Sequence, residues 1–123
     1  MLELTGNSFF PYRDAAPDLG DCTVARDEKR PWLLTITEPL PVAAPESAEP
    51  LCCYMHTVIF YERPLRPLPP GQGFAEHGRC ETRLMLDDVV RFEGERFALQ
   101  GGRVEWDGAR WVMTHRARLE ETN

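Results

Sequence analysis

The sequence predicts an all-β protein, a small β-sandwich or partly open barrel of about seven strands with little helix. Three observations support this prediction. The last third of the chain alternates apolar and polar residues around two hairpin turn signals. Short β-branched and apolar runs lie upstream of it, and two long proline-rich loops, 38–50 and 62–78, separate these runs. Many short strands divided by proline and glycine turns are typical of sandwiches and small barrels.

Length and composition indicate one domain spanning residues 1–123. The chain is 42% hydrophobic and 28% charged, which is the range of an ordered globular protein. No apolar run approaches the roughly 20 residues of a membrane span, so no membrane partner is expected. The N-terminus lacks the basic and apolar regions of a signal peptide, which predicts a cytoplasmic protein with reduced cysteines.

The first half of the chain contains two predicted strands. Residues 1–31 form an irregular N-terminal segment, in which a short helical turn over 22–30 is one option. The run "WLLTIT" at 32–37 predicts a strand that stops near Pro39. The run 51–61, "LCCYMHTVIFY", predicts a continuous strand that is apolar on both faces. Such a strand lies at the centre of a sandwich, or is covered on its second face by a partner chain.

The last third predicts further strands from 79 onward, including 79–86, and two hairpins joined by Gly101-Gly102. A type II′ turn at Gly94-Glu95 places Phe92 opposite Phe97. A type I′ turn at Asp107-Gly108 places Glu105 opposite Arg110. The alternation then puts on one face Val104, Trp106, Trp111, Met113, His115, Ala117 and Leu119, and on the other Arg110, Thr114, Arg116 and Arg118.

Four residues have the spacing of a zinc site. Cys53 and His56, followed by His77 and Cys80, form a C-x-x-H … H-x-x-C pattern whose ligand types suit structural zinc. If 52–56 is an extended strand, however, Cys53 and His56 point to opposite faces. We therefore expect no metal and no cofactor, and keep a zinc-stabilised binding module as a second alternative.

The sequence gives no sign of catalysis. Several Cys–His pairs can be drawn, but none has the flanking residues of a known nucleophile motif. His115 lies on an apolar face, which is typical of a hydrogen-bonded core histidine, and Asp87-Asp88 indicates a turn. The net charge of −6 and the lack of a basic stripe disfavour nucleic acid as a partner. The chain is therefore not expected to be an enzyme.

From residue 51 onward the order of signals resembles a known family. A strand ending in "FYERP" leads to a proline- and glycine-rich arm, to "CETRLML", to "DDVVRFEGERFAL" and to a last pair around "WDGARWVMTHRARL". This order is similar to that of the small β-barrel head–tail joining proteins of long-tailed bacteriophages, the stopper or tail-attachment class. Their hairpin pattern G-D-x-V-x-x-x-G-x-x-Y/F-x-V is matched by Asp88, Val90, Gly94 and Phe97, with Asp87 in place of the first glycine. The resemblance covers about residues 51–119.

The resemblance implies a structural assembly protein, a connector ring subunit found in the virion or in the cytoplasm of a bacterial host. Its partners are then proteins, in a homo-oligomeric ring or a hetero-complex. The second proline-rich loop supplies the candidate contact residues Leu65, Leu68 and Phe74. The alternative is a small inhibitor or immunity protein that blocks an enzyme by surface complementarity. Its contact residues would be the acidic N-terminal group Asp14, Asp18, Asp21, Asp27 and Glu28.

Overall fold

The structure, a computed structural model, describes residues 1–5, 18–54, 56–63, 68–73 and 75–120, with the backbone alone over 52–54. The all-β prediction is confirmed, and the described residues contain no helix and hence none that could span a membrane. They form nine strands where the sequence predicted seven. The strands are β1 (Glu3–Thr5), β2 (Thr23–Arg26), β3 (Leu33–Pro39), β4 (Ala48–Tyr54), β5 (Thr57–Glu62), β6 (Glu76–Glu81), β7 (Val89–Phe92), β8 (Glu95–Trp106) and β9 (Trp111–Leu119).

The strands form two antiparallel sheets. Six of them make a half-barrel in the order β1-β7-β8-β9-β3-β2, and the other three make a small sheet in the order β4-β5-β6. Trp111 of the half-barrel connects the sheets, because its ring lies 5.2 Å from that of Phe60 in the small sheet. Its indole Nε1–H also donates to the carbonyl of Pro45, at 3.0 Å.

The inner face of the half-barrel carries two hydrophobic clusters. The first core cluster contains Leu2, Leu19, Leu34, Ile36, Leu84, Val90, Phe97, Leu99 and Ala117. The second core cluster lies where the small sheet covers the half-barrel, and contains Leu40, Ala44, Ala48, Val58, Phe60, Cys80, Trp111 and Met113. Burial of these side chains is the main stabilising contribution to both sheets.

The predicted continuous strand 51–61 is wrong. The chain reverses after Tyr54, so that β4 and β5 pair with each other and Cys52 lies opposite Val58. The reversal buries Val58 and Phe60 of β5 in the second core cluster. It leaves β4 at the edge of the sheet. An edge strand tolerates Pro50, which has no backbone N–H to donate. The first loop is therefore shorter than predicted, since β3 extends to Pro39 and β4 begins at Ala48.

The N-terminal segment is not wholly irregular. Leu4 of β1 pairs with Val90, and Val24 of β2 pairs with Ile36, so that the two strands form the edges of the half-barrel. The region considered for a helical turn thus contains β2, because Val24 packs against the first core cluster. The predicted strand 79–86 ends earlier, at Glu81 of β6.

The first hairpin turns one residue earlier than predicted. Glu93 and Gly94 have φ angles of 52° and 79°, as a type I′ turn requires, and Arg91 lies opposite Arg96. This register places Val90 opposite Phe97, and both side chains are completely buried. The juxtaposition of the two exposed arginines is moderated by Glu3, which lies opposite Arg91, and by an ion pair between Glu120 and Arg96.

The second hairpin has a longer loop than predicted. Trp106 lies opposite Trp111, and residues 107–110 form the loop. Asp107 Oδ1 accepts from the backbone N–H groups of Ala109 and Arg110 at 2.8 Å each, and these bonds lower the pKa of the Asp107 carboxyl. Both hairpin registers differ from the predicted ones by two residues, which leaves each side chain on its predicted face. The inward set is accordingly confirmed by the burial of Trp111, Met113, His115 and Ala117.

The two glycines at 101 and 102 do not separate the hairpins. Strand β8 runs through them from Glu95 to Trp106, with a bulge between Leu99 and Gly101. Gly102 lies opposite His115, and a Cβ at this position would be 2.9 Å from the carbonyl oxygen of Thr114. Strand β8 therefore approaches β9 too closely for any other residue to fit without displacement.

Candidate functional site

A buried polar network separates the two hydrophobic clusters. Glu38 of β3 lies between Ile36 and Leu40, and His115 of β9 lies between Met113 and Ala117. Strand pairing sets Ile36 opposite His115, so Glu38 and His115 are diagonal neighbours on the inner face. Their side chains are 2% and 4% exposed, and His115 Nε2 lies 2.8 Å from Glu38 Oε2.

Arg83 supplies the remaining contacts of the Glu38 carboxylate. Its backbone N–H and its Nε–H both donate to Glu38 Oε1, the latter at 3.2 Å. Its Nη1 donates to the Asp18 carbonyl at 2.7 Å and to the Asp21 carboxylate. The network thus runs from His115 through Glu38 and Arg83 to Asp21 at the surface. Because each charged group has an opposite partner, the cost of burying Glu38 is offset.

The network changes the acidity of three groups at its surface end. The hydrogen bond from Arg83 lowers the pKa of the Asp21 carboxyl. Burial tends to lower the pKa of Arg83, but its hydrogen bonds to Asp21 and Glu38 outweigh burial, and that pKa is raised. Burial raises the pKa of the neighbouring Cys22 thiol to about 11, so this sulfur is a thiol at neutral pH and a poor nucleophile.

A histidine paired with a carboxylate is the arrangement that orients a general base in many hydrolases. Here strand β8 also encloses the pair, because it passes so close to His115 at Gly102 that there is no room for a Cβ. Oε1 and Oε2 of Glu38 both have donors within the protein. In this arrangement the pair can fix the spacing of β3 and β9, but it cannot contact a substrate.

His115 is the part of the network that the sequence predicted, as a hydrogen-bonded core histidine, and its bond to Glu38 confirms that prediction. Glu38 and Arg83 were not predicted. A signal for Glu38 exists in the sequence: Leu34, Ile36, Glu38 and Leu40 recur with period two, which places Glu38 on the buried face. No comparable signal exists for Arg83, which lies in an irregular segment between β6 and β7.

The structure places the described members of the zinc pattern in different surroundings. Cys80 is buried in the second core cluster, whereas His77 is exposed with its Nε2 3.2 Å from the carbonyl of Ala43. The backbone carbonyl of His56 accepts from Thr82 N–H, and the side chain of Cys53 lies outside the described residues. Within the described residues, no three His, Cys, Asp or Glu side chains lie close enough together to hold a metal ion.

The candidate contact residues of the second loop are described in part. Leu68 is 37% exposed, and Leu65 and Phe74 lie outside the described residues. Of the acidic N-terminal group, Asp14 also lies outside them. Asp21 is bound to Arg83, and Asp27 Oδ1 accepts from the backbone N–H groups of Lys29 and Arg30.

The outer face of the half-barrel is chemically distinct. Here we call it the arginine face, defined by the outward-pointing Arg91, Arg96, Arg103, Arg116 and Arg118 of strands β7 to β9. A depression of about 470 Å³ beside Arg116 is lined also by Thr35 and Gln100. A second one, of about 380 Å³, adjoins it and is bordered by Arg118. Arg116 and Arg118 form no ion pair with any described residue.

Comparison with known proteins gave no match, since no protein-family model, no curated protein and no solved structure is detectably similar to this chain.

Proposed function

We propose that this chain is a non-enzymatic assembly protein that acts through contacts with other protein surfaces. The observation that carries the proposal is the enclosure of the His115–Glu38 pair. The residues best suited to acid–base chemistry are occupied by each other and by Arg83 between two hydrophobic clusters. Their arrangement supports a role in holding the fold together, which leaves function to the surface.

Two surface features support protein contacts. The arginine face combines two depressions with the guanidinium groups of Arg116 and Arg118, which have no ion-pair partner in the described part of the chain, and arginine is enriched where proteins meet. Leu51 is 45% exposed and lies beside Ile59 on the outer face of the small sheet, and adjoining exposed apolar residues can mark a contact surface. A ring subunit of a phage head–tail connector is the specific form of this proposal that the resemblance of residues 51–119 suggests.

The inhibitor alternative is less well supported. It requires acidic side chains that are free to meet a basic enzyme. Asp21 already forms an ion pair with Arg83, and Asp27 lies 3.6 Å from Arg30 and caps the turn before β3. Only carboxylates that lack such internal partners would gain from a second basic group.

The proposal is tested by cross-linking the tagged chain in its native cell and measuring the mass of the purified complex. The expected result is a complex of fixed stoichiometry with the same chain or with another protein. The variant His115→Gln, if folded, is expected to form the same complex, since the pair has no chemical role. A chain that stays monomeric in the cell, or that converts a substrate in a His115-dependent reaction, would contradict the proposal.

A further inference from the structure

The two sheets present opposite charge on their outer faces. The five residues of the arginine face are accompanied by three outward carboxylates, Glu3, Glu105 and Glu120, which leaves a charge of +2. Of these, Glu105 is paired with Arg103 and Glu120 with Arg96. The surplus positive charge therefore lies on Arg116 and Arg118, at the centre of the sheet on β9.

The outer face of the small sheet is the acidic face, defined by the outward-pointing Glu49, Glu76, Glu81 and Arg79. Strand pairing places these residues on the side away from the buried Val58 and Phe60, with a net charge of −2. None of the three glutamates forms an ion pair with another described residue.

The acidic face has an apolar centre. Leu51 and Ile59 lie opposite each other on neighbouring strands, and Leu51 is 45% exposed. The glutamates lie around them, Glu49 two residues before Leu51 and Glu81 opposite Thr57. An apolar centre within a charged rim is the usual composition of a protein–protein contact.

We propose that the arginine face of one molecule binds the acidic face of a second copy of this chain. The depression beside Arg116 would receive the exposed Leu51 of the partner molecule, while Arg116 and Arg118 pair with the glutamates around it. A guanidinium and a carboxylate can form two parallel hydrogen bonds, so this pairing also fixes orientation. This inference rests on the proposed assembly function and names its partner.

Charge favours a second copy over nucleic acid as the occupant. The residues that line the two depressions include no aromatic side chain on which a base could stack. The chain as a whole carries −6, which repels the phosphates of a nucleic acid, whereas the acidic face of a second copy matches the +2 of the arginine face with −2. Because the two faces are different surfaces of one molecule, the contact is heterologous and repeats from copy to copy, closing into a ring or extending as a chain.

Analytical ultracentrifugation of the purified chain at 20 and 500 mM NaCl tests this contact. The wild type is expected to form oligomers at low salt and to dissociate at high salt, because exposed ion pairs are screened. The variants Arg116→Glu/Arg118→Glu and Glu49→Lys/Glu81→Lys are each expected to associate at least tenfold more weakly. An equimolar mixture of the two is expected to associate again, since an intact arginine face then meets an intact acidic face.

The matched control is Lys29→Glu/Arg110→Glu, which makes the same change of net charge at exposed positions in other loops. It is expected to associate like the wild type, and circular dichroism verifies that each variant is folded. A wild type that is monomeric at low salt, a mixture that stays monomeric, or a control as weak as the first variant would overturn the inference. A complex with another protein in the cell, with the purified chain monomeric, would overturn this contact alone and leave the assembly function standing.

Discussion

His115 Nε2 lies 2.8 Å from Glu38 Oε2, and this pair is the point at which the two hydrophobic clusters of the protein meet. The other carboxylate oxygen of Glu38 is held by Arg83, from the segment that links the small sheet to the half-barrel. A single carboxylate therefore connects β3, β9 and the inter-sheet segment. Its removal should loosen all three.

The first prediction concerns this carboxylate. In Glu38→Gln the side-chain oxygen can still accept from Arg83, but the amide group toward His115 is neutral and the charge opposite Arg83 is lost. We expect the free energy of unfolding in urea to fall by about 2–4 kcal/mol, because Arg83 loses its charge partner inside the protein. The matched change Glu49→Gln, on the exposed edge strand, should cost less than about 0.5 kcal/mol. If the two substitutions lowered the free energy of unfolding equally, the buried network would contribute nothing to stability.

The second prediction concerns the close approach of β8 to β9. A Cβ at Gly102 would lie 2.9 Å from the Thr114 carbonyl oxygen and 3.2 Å from Nδ1 of His115. Gly102→Ala should therefore lower the free energy of unfolding by about 1–3 kcal/mol, since backbone must shift to admit the methyl group. In Gly78→Ala, also within a strand, the Cβ meets Val42 at an ordinary 3.5 Å, so that variant should be neutral or slightly stabilised. Thermal melts of the two proteins would reveal the difference.

The third prediction concerns acid stability. Arg83 lowers the pKa of Asp21 in the folded state. The stability that this ion pair contributes is therefore fully present above the unfolded-state pKa of about 4, and it is lost as the pH falls through the folded-state pKa. This pair is partly exposed and is worth about 0.5–1 kcal/mol at most. The melting temperature of Asp21→Asn should thus lie below that of the wild type from pH 5 to 8, and the two should converge at lower pH. The exposed Glu46→Gln should follow the wild type throughout, whereas a constant gap for Asp21→Asn down to pH 2 would refute the pairing.

The fourth prediction concerns the reactivity of Cys22. Its pKa of about 11, against 9.0 for an unperturbed thiol, leaves about a hundredfold less thiolate at pH 8. Alkylation of Cys22 by iodoacetamide, followed by peptide mass mapping, should be slower in the folded protein by at least about this factor than in urea. If Cys22 were alkylated as fast in the folded protein as in urea, its thiol would not be buried and its pKa would not be raised.

Residue patterns were sufficient to predict the strand-rich fold and the inward face of β9, because alternation with period two is a local property of the chain. They were insufficient for the reversal between Tyr54 and Thr57, since the run from 51 to 61 contains no glycine or proline to mark it. The reversal results from packing, as it buries Phe60 against Trp111 of the other sheet. Arg83 could not be predicted for the same reason, because its partners Glu38 and Asp21 are 45 and 62 residues away in the sequence.

The turn of the first hairpin shows how local and distant preferences compete. Pairing of opposite charges favoured a turn at Gly94-Glu95, with Glu93 opposite Arg96. The observed turn at Glu93-Gly94 instead sets Arg91 opposite Arg96, and gains the pairing of the fully buried Val90 and Phe97. Arg26, from the distant strand β2, then lies 3.2 Å from Glu93 and 3.5 Å from Glu95. Exposed charges contribute little, so the pairing of opposite charges does not determine the register.

The fifth prediction distinguishes the two registers directly. Glu93 has a φ of 52°, which asparagine adopts at lower cost than glutamate, and Asn-Gly is the preferred type I′ sequence. Glu93→Asn should therefore raise the free energy of unfolding by about 0.5–1 kcal/mol, although it removes an exposed ion pair with Arg26. Glu95→Asn should lower it, because residue 95 is extended and paired with Phe92, where asparagine is unfavourable. Were the turn at Gly94-Glu95, the signs would be reversed, and urea unfolding of the two variants side by side would show which register the chain adopts.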